Sequence, residues 1–225
     1  MFQVCIRVLI FILLPGMVLA TTSFELGKQY ERLPSSIRSN PDVLRLIDEN
    51  PGKTQVLLFF SYACHACSRL DQDFYTWADS QKGKQVAIYR YPAIFNKAYE
   101  ILARTYYTNE SLPNARQLGD DVYDTWHNKG VNLSKEDNLH NFFSSHGVTL
   151  DNFFGIYNSF GLDMKIKRAR ELGIAFNITV TPYVIVNSAT ASYGTNWAMA
   201  GSKENLFAIL NYLISKDAPQ TTIIE

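Results

Sequence analysis

The chain has 225 residues, of which 47% are hydrophobic and 19% charged, with 21 basic side chains balanced by 21 acidic ones. That composition excludes a disordered or low-complexity chain and leaves room for one large domain or two small ones. A formal charge of zero argues against nucleic acid or an anionic surface as the main partner.

The N-terminus has the layout of a secretory signal peptide. Arg7 precedes the apolar run 8–14, Pro15-Gly16 breaks it, and Val18-Leu19-Ala20 offers a cleavage site. The stretch 8–20 has 13 residues, short of the ~20 that span a bilayer. The expectation is export with cleavage near Ala20. Cys5 lies before the apolar run, which argues against a lipoprotein, and it leaves with the signal. The mature chain then keeps Cys64 and Cys67 alone.

Residues 24–33 hold a short strand near Tyr30. Asn40-Pro41 reads as a helix start, with Asn40 as cap and Pro41 at the first position. Val43, Leu44 and Ile47 give that helix an apolar face, and Asn50-Pro51-Gly52 ends it. The continuous apolar run 56–60 suits a strand covered on both faces. Ser61 is placed to cap the helix that follows, on which Cys67, Leu70, Phe74 and Trp77 share a core-facing side. Residues 86–91 form the next strand, closed by Pro92.

From 95 to 177 apolar residues recur at spacings of three and four, which predicts about five helices and no strand. Strand character returns at 179–186. Residues 187–193 are polar and turn-like, and 197–201 read as a short closing strand. Leu206, Ile209, Leu210 and Leu213 mark a last amphipathic helix, and 217–225 a loose tail. The expected division is a signal peptide (1–20), an α/β part in two pieces (21–94 and 179–216), a helical insertion (95–178) and the tail (217–225).

Cys64-His65-Ala66-Cys67 follows the apolar strand and opens a helix. Cys64 falls at the first turn, where free backbone N–H groups and the helix dipole favour a thiolate. The thiolate is the reactive form, and such surroundings lower a thiol pKa from about 8.5 to roughly 3.5–7.5. Cys67, three residues on, shares the helix face and can close a disulfide. A structural staple or half of a zinc site are the bland alternatives. A loop of two intervening residues restrains little of the unfolded chain, so redox chemistry explains the pair better than stability does.

Phe24-x-x-Gly27-x-x-Tyr30, the run 56–67 and Val180-Thr181-Pro182 before a strand, taken together in this order, resemble the DsbA-type thiol–disulfide oxidoreductases. The resemblance implies an α/β thioredoxin fold with an inserted all-helical domain and a periplasmic location. It implies that Cys64 is the nucleophile and Cys67 the resolving thiol. Thr181-Pro182 would be cis, face the disulfide and offer the Thr181 backbone to an extended substrate by strand addition. No cofactor or metal is expected. The implied partners are folding secreted proteins with free cysteines and a membrane reoxidant of the DsbB type, acting with a monomeric enzyme.

The chain departs from the best-known members. His65-Ala66 stands where they carry Pro-His, and His65, directly after the nucleophile, is taken as a candidate catalytic residue that in its charged form would stabilise the Cys64 thiolate. Leu58 aligns with their buried acid and Ile88 with its basic partner, so no buried charge pair is expected, and Asp71 and Asp73 fall to a solvated helix face. Tyr62, Ala63 and Tyr183 are taken as exposed apolar contacts for substrate. Threonine before the proline is shared with isomerase relatives. The leading function is a dithiol oxidase, with a reductase or isomerase of the same fold as alternative. A metal carrier is the reading from another class, using Cys64, His65 and Cys67 with His127, His140 or His146.

Overall fold

A computed structural model describes residues 23–216. The expected signal peptide, with Cys5, and the tail 217–225 lie outside the described residues. The chain enters on strand β1 (Glu31–Arg32) and passes a 3-10 turn (Ser35–Ser39) into helix α1 (Pro41–Asp48). Asn40 caps α1 by accepting the Asp42 N–H at 2.9 Å, with Pro41 at the first position. Then come β2 (Thr54–Phe60), α2 (His65–Ser80) and β3 (Val86–Pro92). Five helices follow: α3 (Lys97–Asn109), α4 (Ala115–His127), α5 (Glu136–Ser145), α6 (Leu150–Tyr157) and α7 (Phe160–Ala175). The chain returns through β4 (Tyr183–Asn187) and β5 (Ser192–Asn196) to α8 (Trp197–Ala200) and α9 (Lys203–Lys216).

The strands form one sheet in the order β1-β5-β4-β2-β3, in which only β2 and β3 run parallel. β2 lies between β3 and β4, and all seven of its residues are buried. Successive side chains on a strand point to opposite faces. Phe60 accordingly meets Tyr106 of α3, with ring centroids 4.9 Å apart, while Phe59 meets Phe176 just after α7 at 6.2 Å. Cover on both faces is why residues 56–60 of this strand are all apolar, each buried Phe or Leu contributing about 1.5–3 kcal/mol. The helices between β3 and β4 are tied back to the sheet by Arg168 of α7. Its guanidinium holds both Glu49 carboxylate oxygens at 2.6 Å and donates to the Tyr91 hydroxyl at 3.2 Å.

The end of the sheet differs from the sequence expectation. Residues 192–196 form the closing strand and 197–200 a helical turn, the reverse of the reading above. β5 is polar yet buried because its side chains are bonded from a distance. The Thr195 hydroxyl donates to the Gln29 carbonyl at 2.7 Å and the Ser192 hydroxyl to Asn187 Oδ1 at 2.6 Å. Gly194 leaves room for the Tyr183 ring, since a Cβ there would sit 2.0 Å from the tyrosine oxygen. Asn196 then accepts the Met199 N–H at 2.9 Å, which caps α8 and ends the strand.

Candidate active site

β2 ends at Phe60, and the turn Ser61-Tyr62-Ala63 carries the chain into α2. Ser61 does not cap that helix. Its hydroxyl accepts the Ala63 N–H at 3.1 Å and shapes the turn, while Cys64 itself is the cap, with extended φ −93° and ψ 113°. Cys64 Sγ accepts the Cys67 N–H at 3.2 Å and so takes one of the unpaired donors of the helix end. Both cysteines are free thiols, Cys64 half-buried and Cys67 buried.

The two thiols are held unlike each other. Hydrogen bonding from Cys67, aided by the Thr181 contact and the Cys67 and Ala66 backbone N–H groups, lowers the Cys64 pKa to about 6 against the opposing effect of burial. Burial pushes the Cys67 thiol well above its ordinary value, and Cys64 adds to that. At neutral pH the outer sulfur is therefore mostly thiolate and the inner one thiol. The Thr181-Pro182 peptide bond is cis, and the Thr181 carbonyl oxygen lies 3.2 Å from Cys64 Sγ, accepting from it in the thiol form. Cys64, Cys67, Thr181 and Pro182 are thus brought together by β2, α2 and the start of β4.

His65 is exposed, and its ring meets that of His127 edge-on at 5.2 Å. His127 Nε2 is hydrogen-bonded to the Tyr62 carbonyl at 2.9 Å. Burial, opposed by that bond and joined by the nearby His65, holds the His127 pKa below the ordinary range. Of His127, His140 and His146, it is His127, at the end of α4, that stands beside His65. The other histidines lie elsewhere. His140 packs on Phe153 and Phe154, and His146 sits 3.2 Å from Asp121. Among the described residues no group of three or more His, Cys, Asp or Glu is placed to hold a metal ion.

Two of the three expected substrate contacts are buried. Tyr62 is 3% exposed, its ring enclosed by Phe60, Tyr106 and Tyr123 and its hydroxyl accepting from Asn109 Nδ2 at 3.2 Å. Tyr183 is 9% exposed and its hydroxyl donates to Glu31, because the Gly194 gap draws the ring across the sheet. Ala63 is half-buried against the core. The apolar surface beside the sulfur comes instead from Val180, 49% exposed, together with Trp197 and Ala198. With Ala66, Thr181 and Pro182 they line a groove of about 360 Å³.

The charges beneath the site also differ from the alignment. Asp71 is not on a solvated face: it is 6% exposed and forms a buried ion pair with Arg90. Asp71 lies four residues after Cys67 on α2, one turn along the same inward side, and the parallel register places Arg90 opposite Leu58. Leu58 and Ile88 are indeed apolar, but the charge pair exists on other residues. Arg90 also donates to the Tyr75 hydroxyl and lies over the Phe60 and Tyr75 rings at 4.6 and 4.2 Å. Burial pushes the Asp71 carboxyl up against the pull of Arg90; burial also opposes the Arg90 charge, which Asp71 and the surrounding tyrosines sustain. Asp73 does face solvent, paired with Lys203.

No family model matches the chain. It is 29% identical over 211 residues to the thiol:disulfide interchange protein DsbA of Azotobacter vinelandii, spanning 91% of this chain and 97% of that one. It is 25% identical over 202 residues to the DsbA of Pseudomonas aeruginosa, spanning 90% of each. The crystal structure of Pseudomonas aeruginosa DsbA superposes with a TM-score of 0.71 at 24% identity, covering 86% of this chain and 94% of that one. A Proteus mirabilis DsbA in complex with a non-covalently bound peptide, PWATCDS, gives a TM-score of 0.65 at 16% identity, covering 86% and 99%.

Proposed function

Because the chain is a thiol–disulfide oxidoreductase of the DsbA type, we propose that it acts as an exported dithiol oxidase, donating a Cys64–Cys67 disulfide to secreted proteins as they fold. The observation that carries this reading is the asymmetry of the pair: a half-exposed Cys64 with its pKa lowered to about 6 above a buried Cys67 whose thiol is held up. Stabilising the Cys64 thiolate stabilises the reduced enzyme, and a stable reduced form makes the disulfide a strong oxidant.

The exchange runs in two steps. A substrate thiolate attacks Cys64 Sγ; the mixed S–S bond forms as the Cys64–Cys67 bond breaks, and the electron pair leaves on Cys67, which takes a proton. A second substrate thiolate then attacks the substrate sulfur of the mixed disulfide, closing the substrate disulfide and expelling Cys64 as a thiolate. A leaving thiol of low pKa departs faster, so the lowered pKa of Cys64 favours this second step. The Thr181 backbone flanks the sulfur as an edge for the incoming chain, which would add as an extended strand. His65, the residue after Cys64, and His127 pair ring to ring and add a polar edge near the site. Residues 21–94 and 179–216 would make up the redox domain and 95–178 the helical one. The enzyme would work as a monomer in the periplasm, reoxidised by a membrane partner of the DsbB type.

The deciding measurement is the reduction potential of the Cys64–Cys67 pair, equilibrated against glutathione. An oxidase should lie far above the ~−270 mV of thioredoxin, toward the ~−120 mV that holds for DsbA itself. A value near thioredoxin's would instead assign a reductase. Reshuffling of a scrambled multi-disulfide protein to native pairs without added oxidant would assign an isomerase.

A further inference from the structure

The groove beside the Thr181-Pro182 turn is lined by apolar side chains together with Thr181, Asn196 and Arg69. Arg69 of α2 lines it together with Ala66, Val180 and Trp197. Its side chain is exposed, and the guanidinium lies 5.2 Å over the Trp197 ring. A cation–π contact at this range holds the guanidinium over the ring and leaves N–H donors free for a planar acceptor. One helical turn further on, Asp73 would be the natural local partner, but it is held by Lys203 at 2.5 Å. Among the described residues Arg69 has no carboxylate partner. The site thus presents an oriented cation without a counter-charge, in the wall of the groove that opens beside the reactive sulfur.

We propose that Arg69 reads the charge of the polypeptide segment lying in this groove, and that the enzyme prefers cysteines with an aspartate or glutamate two or three residues away. The spacing follows from the helix. Arg69 is five residues beyond Cys64, a rise of about 7.5 Å at 1.5 Å per residue. An extended substrate advances ~3.3 Å per residue, so the side chain level with Arg69 belongs to the second or third residue from the reacting cysteine. Among the residues that line the groove Arg69 carries the charge, so charge is a feature by which the groove can discriminate. A carboxylate there completes a bidentate pair with a guanidinium already held over the Trp197 ring. This inference rests on Cys64 being the sulfur that exchanges with substrate.

The test uses the mature enzyme and a peptide with two cysteines, made in three forms that carry Glu, Gln or Lys at the second or third residue from one cysteine. Exchange is followed in both directions, with reduced peptide on oxidised enzyme and oxidised peptide on reduced enzyme, for wild type, Arg69→Glu and Arg69→Lys. A neighbouring charge also alters the peptide's own thiol, so the quantity compared is how the Glu-to-Lys rate ratio changes between enzymes. Wild type should favour the Glu peptide over the Lys peptide about two- to fivefold more than Arg69→Glu does at low salt. Arg69→Lys should keep part of the preference, and the difference should vanish in concentrated salt. An unchanged ratio in Arg69→Glu overturns the inference. Exchange only in the direction that reduces the peptide would overturn the oxidase reading, while the charge preference would still be read from that arm.

Discussion

Asp71 and Arg90 form an ion pair beneath the active-site helix, with the two side chains only 7% and 10% exposed. Their positions are 19 residues apart, on α2 and β3, and the pair is enclosed by Phe60, Tyr75 and Tyr123. Charges taken this far from water are tolerated because each has the other, and removing one partner leaves an uncompensated buried charge.

Arg90→Met should therefore destabilise the protein by about 3–5 kcal/mol. Adding Asp71→Leu to it should recover most of that loss, since no charge is then left alone. Urea denaturation of the two single variants and the double variant checks this. A double variant as unstable as the sum of the singles would contradict the coupling.

Cys64 should titrate with a pKa of about 6, followed by thiolate absorbance in the reduced enzyme and abolished by Cys64→Ser. Its folded value lies below the ordinary 9.0, so the thiolate adds stability that is fully present above the unfolded pKa and is lost as pH falls through about 6. Reduced enzyme should gain stability over the oxidised form as pH rises from about 6 toward about 9, and the gain should be missing in Cys64→Ser. Paired denaturation curves of the two redox forms across this range give the answer.

Tyr62→Phe tests the burial of that ring. Loss of the hydroxyl breaks the bond from Asn109, whose Oδ1 already lacks a partner among the described residues, and should cost about 1–2 kcal/mol. The rate of exchange with peptides should stay close to wild type, because the hydroxyl faces Asn109 and Gly119 and not the groove. A large rise in KM with unchanged stability would restore Tyr62 as a substrate contact.

His127 carries an acid-side dependence. Its folded pKa is lowered by burial, so the unfolded chain takes up a proton first as pH falls. The stability tied to neutral His127 is present above about 6.5 and is lost as pH falls through the lower folded value. His127→Gln should flatten the difference in stability between pH 7 and pH 5, and ring proton shifts in the wild type should place the His127 midpoint below 6.5.

Much of the fold is legible where the signal is local. The run 56–60 is apolar because β2 is covered on both faces, and Asn40-Pro41 marks a helix start by its own capping chemistry. The helices between β3 and β4 follow from spacings of three and four. β5 is not legible: Ser192 falls in the polar stretch 187–193 that reads as a turn, and only the hydrogen bonds of Ser192 to Asn187 and of Thr195 to Gln29, with the Tyr183 ring over Gly194, make a buried strand of it. Tyr62 and Tyr183 mislead for a related reason, since tyrosine beside a reactive sulfur suits both a wet contact and a buried hydroxyl with a partner.

The sequence by itself determined that two cysteines three apart stand at the mouth of a helix after a buried strand, which is enough to identify thiol–disulfide chemistry. Helix-end electrostatics act within a few residues and need no distant partner. Only the tertiary structure decided what else surrounds that pair: His127 beside His65, Arg69 over the Trp197 ring, and Asp71 joined to Arg90 under the floor. Each of these is a contact between elements that meet through strand register and helix packing. Such contacts depend on which faces meet, and the identity of a residue fixes only what it could bond, not which partner folding brings to it.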